Sequence, residues 1–376
     1  MHALTLHGHL IGRQGSRRDL NTPALIIDLD ALERNIAAMA GAAAAAGIAL
    51  RPHAKTHKSV EIARLQIAAG AIGICCAKLG EAEALAHGGV ENLLVTSPVV
   101  GAAGVGRLAA LSARSPGLLA VVDHPDGVAA IAASEARLGL LVDIDPGLHR
   151  TGVADARAAV DLAGRIAAAP RLRFAGVQFY CGREQHIGLF GARREAIVDR
   201  TAYLKPVIGA LGAAGLPPAI ISGGGTGSHP IDMELGVFTE LQVGSYIFMD
   251  RQYGDCELAA GGGRPFETAL MVDARVVSAN HAGLATVDAG FKAFATEAGA
   301  PPILAGVSGA SEYRFMGDGQ GCVVVAKGQG GPGLGDIVTF AAPHCDPTVN
   351  LYDAYHVVRD GTLVAIWPIQ ARGRSA

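Results

Sequence analysis

The sequence predicts an α/β fold, a closed (β/α)8 TIM barrel followed by an antiparallel β domain, on three observations. Short aliphatic runs alternate with Ala-rich helical stretches through the first two-thirds of the chain, the pattern of strands buried on both faces between helices. These runs number roughly eight to nine, more than a typical open sheet holds and enough to close a barrel. Beyond about residue 250 the alanine-rich stretches give way to β-branched runs punctuated by glycine. A length of 376 residues accommodates a barrel with an appendage, and 50% hydrophobic against 17% charged residues supplies a large core.

Taken in order, residues 24–29 (ALIIDL) read as the first strand and 30–46 as a helix that Asp30 caps. A short strand at 49–51 precedes a helix near 59–69, then a strand at 71–75, a helix at 81–87 and a strand at 92–96. Strands at 119–122, 138–144, 173–179, 219–222 and 240–243 complete the series. The expected domains are an N-terminal segment 1–22 packing on the β domain, the barrel at 23–250, and the β domain at 251–376. Within the last, strands are expected at 270–277, 283–287, 321–326, 336–340 and 355–359, with 328–335 (GQGGPGLG) as a hairpin turn rather than a phosphate loop.

Composition excludes several classes. A net charge of -3 carries no electrostatic footprint for nucleic acid. The apolar stretch 37–50 is too short to span a bilayer, and 101–113 is interrupted by Arg107, so no membrane association is expected. The N-terminus has no long apolar run before a small-residue cleavage site, so no signal peptide is expected. Six scattered cysteines in a chain of this size argue against a disulfide framework and for a reducing, cytoplasmic compartment.

Chemistry-bearing residues cluster where a barrel places its active site, at the C-terminal ends of strands. Arg51-Pro52-His53-Ala54-Lys55-Thr56-His57-Lys58 follows the second strand. An isolated basic stretch is most often a solvated loop, but an amine following an apolar strand and held among cations has a lowered pKa and makes a Schiff-base nucleophile. Ser222-Gly223-Gly224-Gly225-Thr226-Gly227-Ser228 follows a late strand and Gly244-Ser245 the last. Glycine clusters usually make ordinary turns, yet phosphate sites of barrels gather at the loops after the final two strands. In Pro343-His344-Cys345-Asp346, an extended backbone would turn His344 and Asp346 to one side, suiting a divalent cation; a turn with a surface histidine is the plainer reading. Two further strand ends lead into Asp143–Gly152 and Gln178–His186, each carrying a cation or imidazole.

The segments TPALIIDLDALERN, RPHAKTHKS, GICCAKLGEAEA, SGGGTGS, ELQVGSYIFMD and HCDPTVNLYD stand in the order found in D-threonine aldolases. From about Thr22 to Arg374 the chain resembles the pyridoxal-phosphate enzymes of alanine-racemase type, which include 3-hydroxy-D-aspartate aldolases and D-serine dehydratases. The resemblance implies a barrel that binds pyridoxal 5'-phosphate, a C-terminal β domain, and a homodimer whose active site lies at the interface. Lys55 matches the lysine that holds the cofactor as a Schiff base, Arg150 the arginine near its phenolic oxygen, and Tyr180 the active-site tyrosine. His186 matches the base acting on the substrate hydroxyl. Gly224, Gly225, Thr226, Gly244 and Ser245 match the phosphate cup, and Gln242 stands where alanine racemases have an arginine facing the pyridine nitrogen. His344 and Asp346 match the ligands of a divalent metal, Mn²⁺ first, with Mg²⁺ or Zn²⁺ as alternatives.

The implied reaction is cleavage of a β-hydroxy-D-amino acid to glycine and an aldehyde. A D-serine or 3-hydroxy-D-aspartate dehydratase is the alternative; those relatives resemble H-x-C at the metal position, where this chain has H-x-D. A non-catalytic pyridoxal-phosphate carrier is more remote, since such proteins resemble the barrel alone. The chain departs from its relatives at Gly317–Gly321, where Gln320 stands in place of a histidine.

Overall fold

The computed structural model describes residues 3–376, so the first two residues of the segment 1–22 lie outside the described residues. The chain forms two compact units. One comprises Ala37–Gly244, Cys256–Arg264 and Gly373–Ala376; the other comprises the chain up to Ile36, Ser245–Asp255 and Pro265–Arg372.

The run expected to open the barrel belongs to the second unit instead. Strand β1 (Ala24–Asp28) pairs antiparallel with β10 (Leu270–His281) and parallel with β16 (Ala354–Arg359). Its residues Leu25, Ile26 and Ile27 are fully buried. A central strand of a covered sheet and a barrel strand both read as continuous aliphatic runs, so hydropathy cannot separate them. The helix that follows, Leu29–Ala46, begins one residue earlier than expected, and the Asp28 carboxylate rather than Asp30 accepts the Ala31 N–H at 3.0 Å.

The first unit is the barrel. Its strands are β2 (Ala49–Leu50), β3 (Ile74–Cys76), β4 (Leu93–Val95), β5 (Leu119–Val122), β6 (Leu138–Asp143), β7 (Leu172–Phe179), β8 (Ile220–Gly223) and β9 (Glu240–Leu241). All pair in parallel, in the order β2-β9-β8-β7-β6-β5-β4-β3. Closure comes from residues 52–54, which continue β2: Ala54 N–H donates to Cys75 O, and Cys75 N–H to Pro52 O, both at 2.8 Å. The interior includes Cys75, Leu94, Leu119, Val121, Leu141 and Ala175. No described helix is long and apolar enough to cross a membrane.

The second unit adds β11 (Leu284–Val287), β12 (Ile303–Ala305), β13 (Ser311–Phe315), β14 (Gly321–Val325), β15 (Ile337–Ala341) and β17 (Thr362–Pro368). Strand order is β13-β14-β11-β10-β1-β16-β17, with β15 pairing β10 and β12. The stretch 328–335 is not a hairpin, because it joins β14 to β15 and these do not pair with each other. Strands 303–305, 311–315 and 362–368 were not expected; the first is only three residues long and largely exposed, and the second, SEYRF, has no aliphatic run. Leu10 and Leu20 from the N-terminal segment join Ile26, Met271, Val358 and Leu363 in one apolar cluster.

Candidate active site

The basic stretch after β2 is built into the barrel rather than solvated. Arg51, His53, Thr56, His57 and Lys58 are all buried. Arg51 grips Glu240 through two hydrogen bonds of 2.9 and 3.0 Å, and Lys58 pairs with buried Glu81. The strand-like path of 52–54 ends where His57 and Lys58 donate backwards to Ala54 O, a turn that leaves Lys55 at the barrel mouth.

There Lys55 lines a cavity of about 450 Å³ together with His53, Lys78, Asp123, Arg150 and Tyr180. Lys55 Nζ stands 5.9 Å from the centre of the Tyr180 ring, and Arg150 Cζ stands 5.7 Å from it. His53 Nδ1 accepts the Lys55 N–H at 3.3 Å, and its Nε2 lies 3.1 Å from Thr96 Oγ1. Four basic side chains against the one carboxylate of Asp123 suit an anionic ligand.

Beneath them runs a polar network. Gln242 and Gln178 both line the cavity, and Gln242 Nε2 donates to Gln178 Oε1 at 3.1 Å and to Ser222 Oγ at 2.9 Å. Gln178 Nε2 donates to Asp143 Oδ1 and to Thr96 O, and Ser222 Oγ–H to Glu240 Oε1. Burial pushes the Asp143 carboxyl up to about 6 against the hydrogen bonds from Gln178 and Thr151, which favour the anion. The sequence assigns a place to Gln242, holds His53, Asp143 and Gln178 only as members of candidate stretches, and does not mark Thr96, because their roles depend on neighbours far along the chain.

The glycine loop 222–228 is a tight cradle. A Cβ on Gly223 would lie 2.1 Å from Phe179 O, and one on Gly227 would lie 2.1 Å from Gln185 O. Gly224 has φ +68, a conformation that glycine tolerates best. Not every amide is free for an anion. Gln185 Oε1 accepts the N–H groups of Gly227 and Ser228, while Ser228 Oγ accepts that of Gly225 at 3.2 Å. Ser228 donates to Asp232, whose carboxyl burial pushes up to about 7. Thr226 is buried, and a Cβ on Gly244 would stand 2.7 Å from Thr56 Oγ1, a buried hydroxyl with no hydrogen-bond partner among the described residues. Such a cradle, an orphaned hydroxyl and an amine at the mouth fit a phosphorylated cofactor with an aldehyde.

His186 is less well placed. It is exposed at the end of the 3-10 turn Glu184–His186 and is not among the cavity-lining residues, because its neighbour Gln185 takes the inward position. Ser245 opens a separate 3-10 turn, Ser245–Ile247, and is buried in the second unit.

In that unit His344 has extended backbone, but Cys345–Val349 is helical, so the expected strand through His344 and Asp346 does not exist. Pro347 explains the turn, being tolerated in the first turn of a helix and poorly within a sheet. His344 Nδ1 lies 2.7 Å from Glu297 Oε1. A carboxylate there orients the ring and leaves Nε2 to act as a ligand, the usual support for a metal-bound histidine. No group of three or more His, Cys, Asp or Glu that could hold a metal is found among the described residues. The expected ligands, His344 and Asp346, would by themselves make only an open pair that water or substrate would have to complete. Gln320 is exposed on the turn between β13 and β14.

Known proteins support this reading of the fold. The family described as alanine racemase, N-terminal domain, matches residues 27–252, and that described as putative serine dehydratase domain matches 269–358. The chain is 39% identical to a 3-hydroxy-D-aspartate aldolase of Paracoccus denitrificans (strain Pd 1222), covering 95% of this chain and 93% of that one. It is 38% identical to a D-threonine aldolase of Arthrobacter sp., covering 95% and 94%. The crystal structure of D-threonine aldolase from Filomicrobium marinum superposes with a TM-score of 0.91 at 38% identity, covering 95% of this chain and 97% of that one. The chain is thus an enzyme of the lyase class and belongs to the D-threonine aldolase and D-serine dehydratase-like family, with the barrel of alanine racemase.

Proposed function

We propose that the protein is a pyridoxal-phosphate- and divalent-metal-dependent aldolase that cleaves β-hydroxy-D-amino acids to glycine and an aldehyde. The observation that carries this reading is Lys55, a lysine in a cavity with Arg150 and Tyr180 within 6 Å of each other's groups. Relatives named 3-hydroxy-D-aspartate aldolase and D-threonine aldolase support the reaction class.

Lys55 supplies the amine that joins the cofactor, and Arg150 and Tyr180 flank it. The phosphate is held by Gly224, Gly225, Thr226, Gly244 and Ser245, with Gly225 giving up its bond to Ser228 or contributing only its Cα surface. When bound, the cofactor supplies the electron sink for the charge left at Cα. His344 and Asp346 hold the divalent cation, Mn²⁺ by preference, and Glu297 keeps the His344 ring in orientation. His186 takes the proton of the substrate hydroxyl. Its place on the loop that follows Tyr180 is what this role rests on; the ring is exposed, and such contacts often tighten only with substrate present. We further propose a homodimer, active in the cytoplasm; six cysteines outside any disulfide, five of them buried, suit a reducing compartment.

The test is to supply purified protein with D-threonine, D-serine and 3-hydroxy-D-aspartate, with cofactor and with or without Mn²⁺. Glycine and an aldehyde are expected. Keto acid and ammonia would overturn the aldolase in favour of a dehydratase, and a coloured, inert protein would make it a carrier.

A further inference from the structure

We infer that Gln242 is a one-way hydrogen-bond acceptor on the cavity floor, which holds the ring nitrogen of the cofactor in its protonated form. The inference rests on the pyridoxal-phosphate reading above and deepens it.

Two chains of hydrogen bonds, started from opposite ends, fix the orientation of one amide. At the first end, both oxygens of Glu240 are engaged by Arg51, in a pair that is nearly inaccessible to solvent. A carboxylate so clamped only accepts, so Ser222 must spend its single hydrogen on Glu240 Oε1 at 2.7 Å. Ser222 Oγ is then an acceptor for Gln242, and the Gln242 atom 2.9 Å away must be N–H. At the second end, the carbonyl of Thr96 only accepts, so the Gln178 atom 3.1 Å from it is the amide nitrogen. That orientation turns Gln178 Oε1 toward Gln242, at 3.1 Å, and again demands N–H from Gln242. The conclusion holds whichever protonation state Asp143 takes.

Gln242 therefore commits both of its N–H donors to the barrel interior. Its Oε1 is the one polar atom of the side chain left for a ligand, and the side chain lines the cavity. A ring nitrogen carrying only a lone pair would meet that oxygen as acceptor against acceptor, whereas a ring N–H would donate to it. An exposed glutamine could rotate its amide to suit either form; this one would have to break two buried hydrogen bonds to do so. Gln242 is thus a positioning residue that selects the more electron-withdrawing form of the ring, using a neutral side chain.

The experiment is ¹⁵N NMR of holoenzyme loaded with pyridoxal phosphate labelled at the ring nitrogen, titrated with pH. In the wild type the bound nitrogen should stay protonated through neutral pH. In Gln242→Leu, deprotonation should move down by about one pH unit or more, the scale of one lost charge-assisted hydrogen bond. Gln242→Glu should retain the proton. Ser222→Ala, a smaller perturbation, should give a shift between wild type and Gln242→Leu, because it frees one N–H. A wild-type nitrogen unprotonated at neutral pH, or equal titration in wild type and both weakened variants, overturns the role of Gln242. Failure of the labelled cofactor to bind at all would instead defeat the pyridoxal-phosphate reading, and the inference with it.

Discussion

At the scale of residues, Lys55 differs from Arg51 and Lys58 in where it stands, at the mouth of the barrel cavity. Arg51 and Lys58 are each committed to a buried glutamate, whereas Lys55 stands in the cavity beside the Tyr180 ring. Lys55→Ala should therefore abolish the visible absorbance of protein mixed with cofactor and lower activity about 10³-fold or more. Survival of the band would assign the attachment to another lysine. His186 should separate the two readouts: His186→Ala should keep the band and lower kcat about 10²-fold or more, the range for a lost general base. Unchanged kcat would remove His186 from the reaction and leave it the surface residue that its exposure suggests. The residues proposed to touch a ligand stand out in the sequence because lysine, arginine, tyrosine and glycine carry their chemistry in their type. Their supports do not. Gln178, Gln185 and Thr96 act through partners tens of residues away, such as Gln185 on Gly227 and Gln178 on Asp143, and even the candidate stretch 178–186 does not reveal which of its residues play that part.

At the scale of elements, β7 and the N-terminal segment each rest on one local device. Strand β7 slips register against β6 between Leu140 and Leu141, at a bulge that leaves Ala175 unpaired and is followed by Gly176 with φ +149. A Cβ there would lie 1.9 Å from Ile220 O of β8, a backbone atom that cannot swing aside. Gly176→Ala should cost about 3 kcal/mol or more, combining strain with the overlap, and urea unfolding measures it. The N-terminal segment is tied down by two buried imidazoles. His356 Nδ1 donates to Leu25 O, its Nε2 then accepts from His7 Nδ1 at 2.8 Å, and His7 Nε2 accepts the Asn21 N–H. Both rings must be neutral for this chain of bonds. Burial lowers the His356 pKa to about 4, with the His7 charge as the second cause, and burial also lowers that of His7. Because the folded values lie below the unfolded value of about 6.5, the stabilisation is present above that pH. It is lost as pH falls toward about 4. His356→Asn should flatten this acid limb of the stability curve; an unchanged limb would assign the loss to carboxylates. The barrel strands β3 to β6 were legible because each is a short, fully buried and largely aliphatic run between helices. The place of β1 was not, since the same pattern arises in the middle of a mixed sheet. β13, with polar residues on its exposed face, carried no such signal, and the three residues of β12 are too few to mark a strand.

At the scale of the whole molecule, the two chemical requirements of the proposed reaction are written in different units. The amine, its flanking Arg150 and Tyr180, and the polar floor belong entirely to the barrel unit, while His344, Asp346 and Glu297 belong to the other. Cofactor attachment draws on barrel residues and on Ser245; it uses none of the proposed metal ligands. Removing the metal should therefore leave the cofactor in place. Dialysis against a chelator should abolish turnover of a β-hydroxy-D-amino acid while the visible band of the holoenzyme persists, and added Mn²⁺ should restore activity. His344→Ala should behave as the chelated protein does and resist rescue. Glu297→Gln should need more Mn²⁺ for half-maximal activity, about 10- to 100-fold, because it loosens the ring without removing a ligand. If chelation bleached the band together with the activity, the separation of the two requirements would be wrong. If activity survived exhaustive chelation, His344 and Asp346 would be a surface pair, and the polarisation of the substrate hydroxyl would fall to protein groups alone.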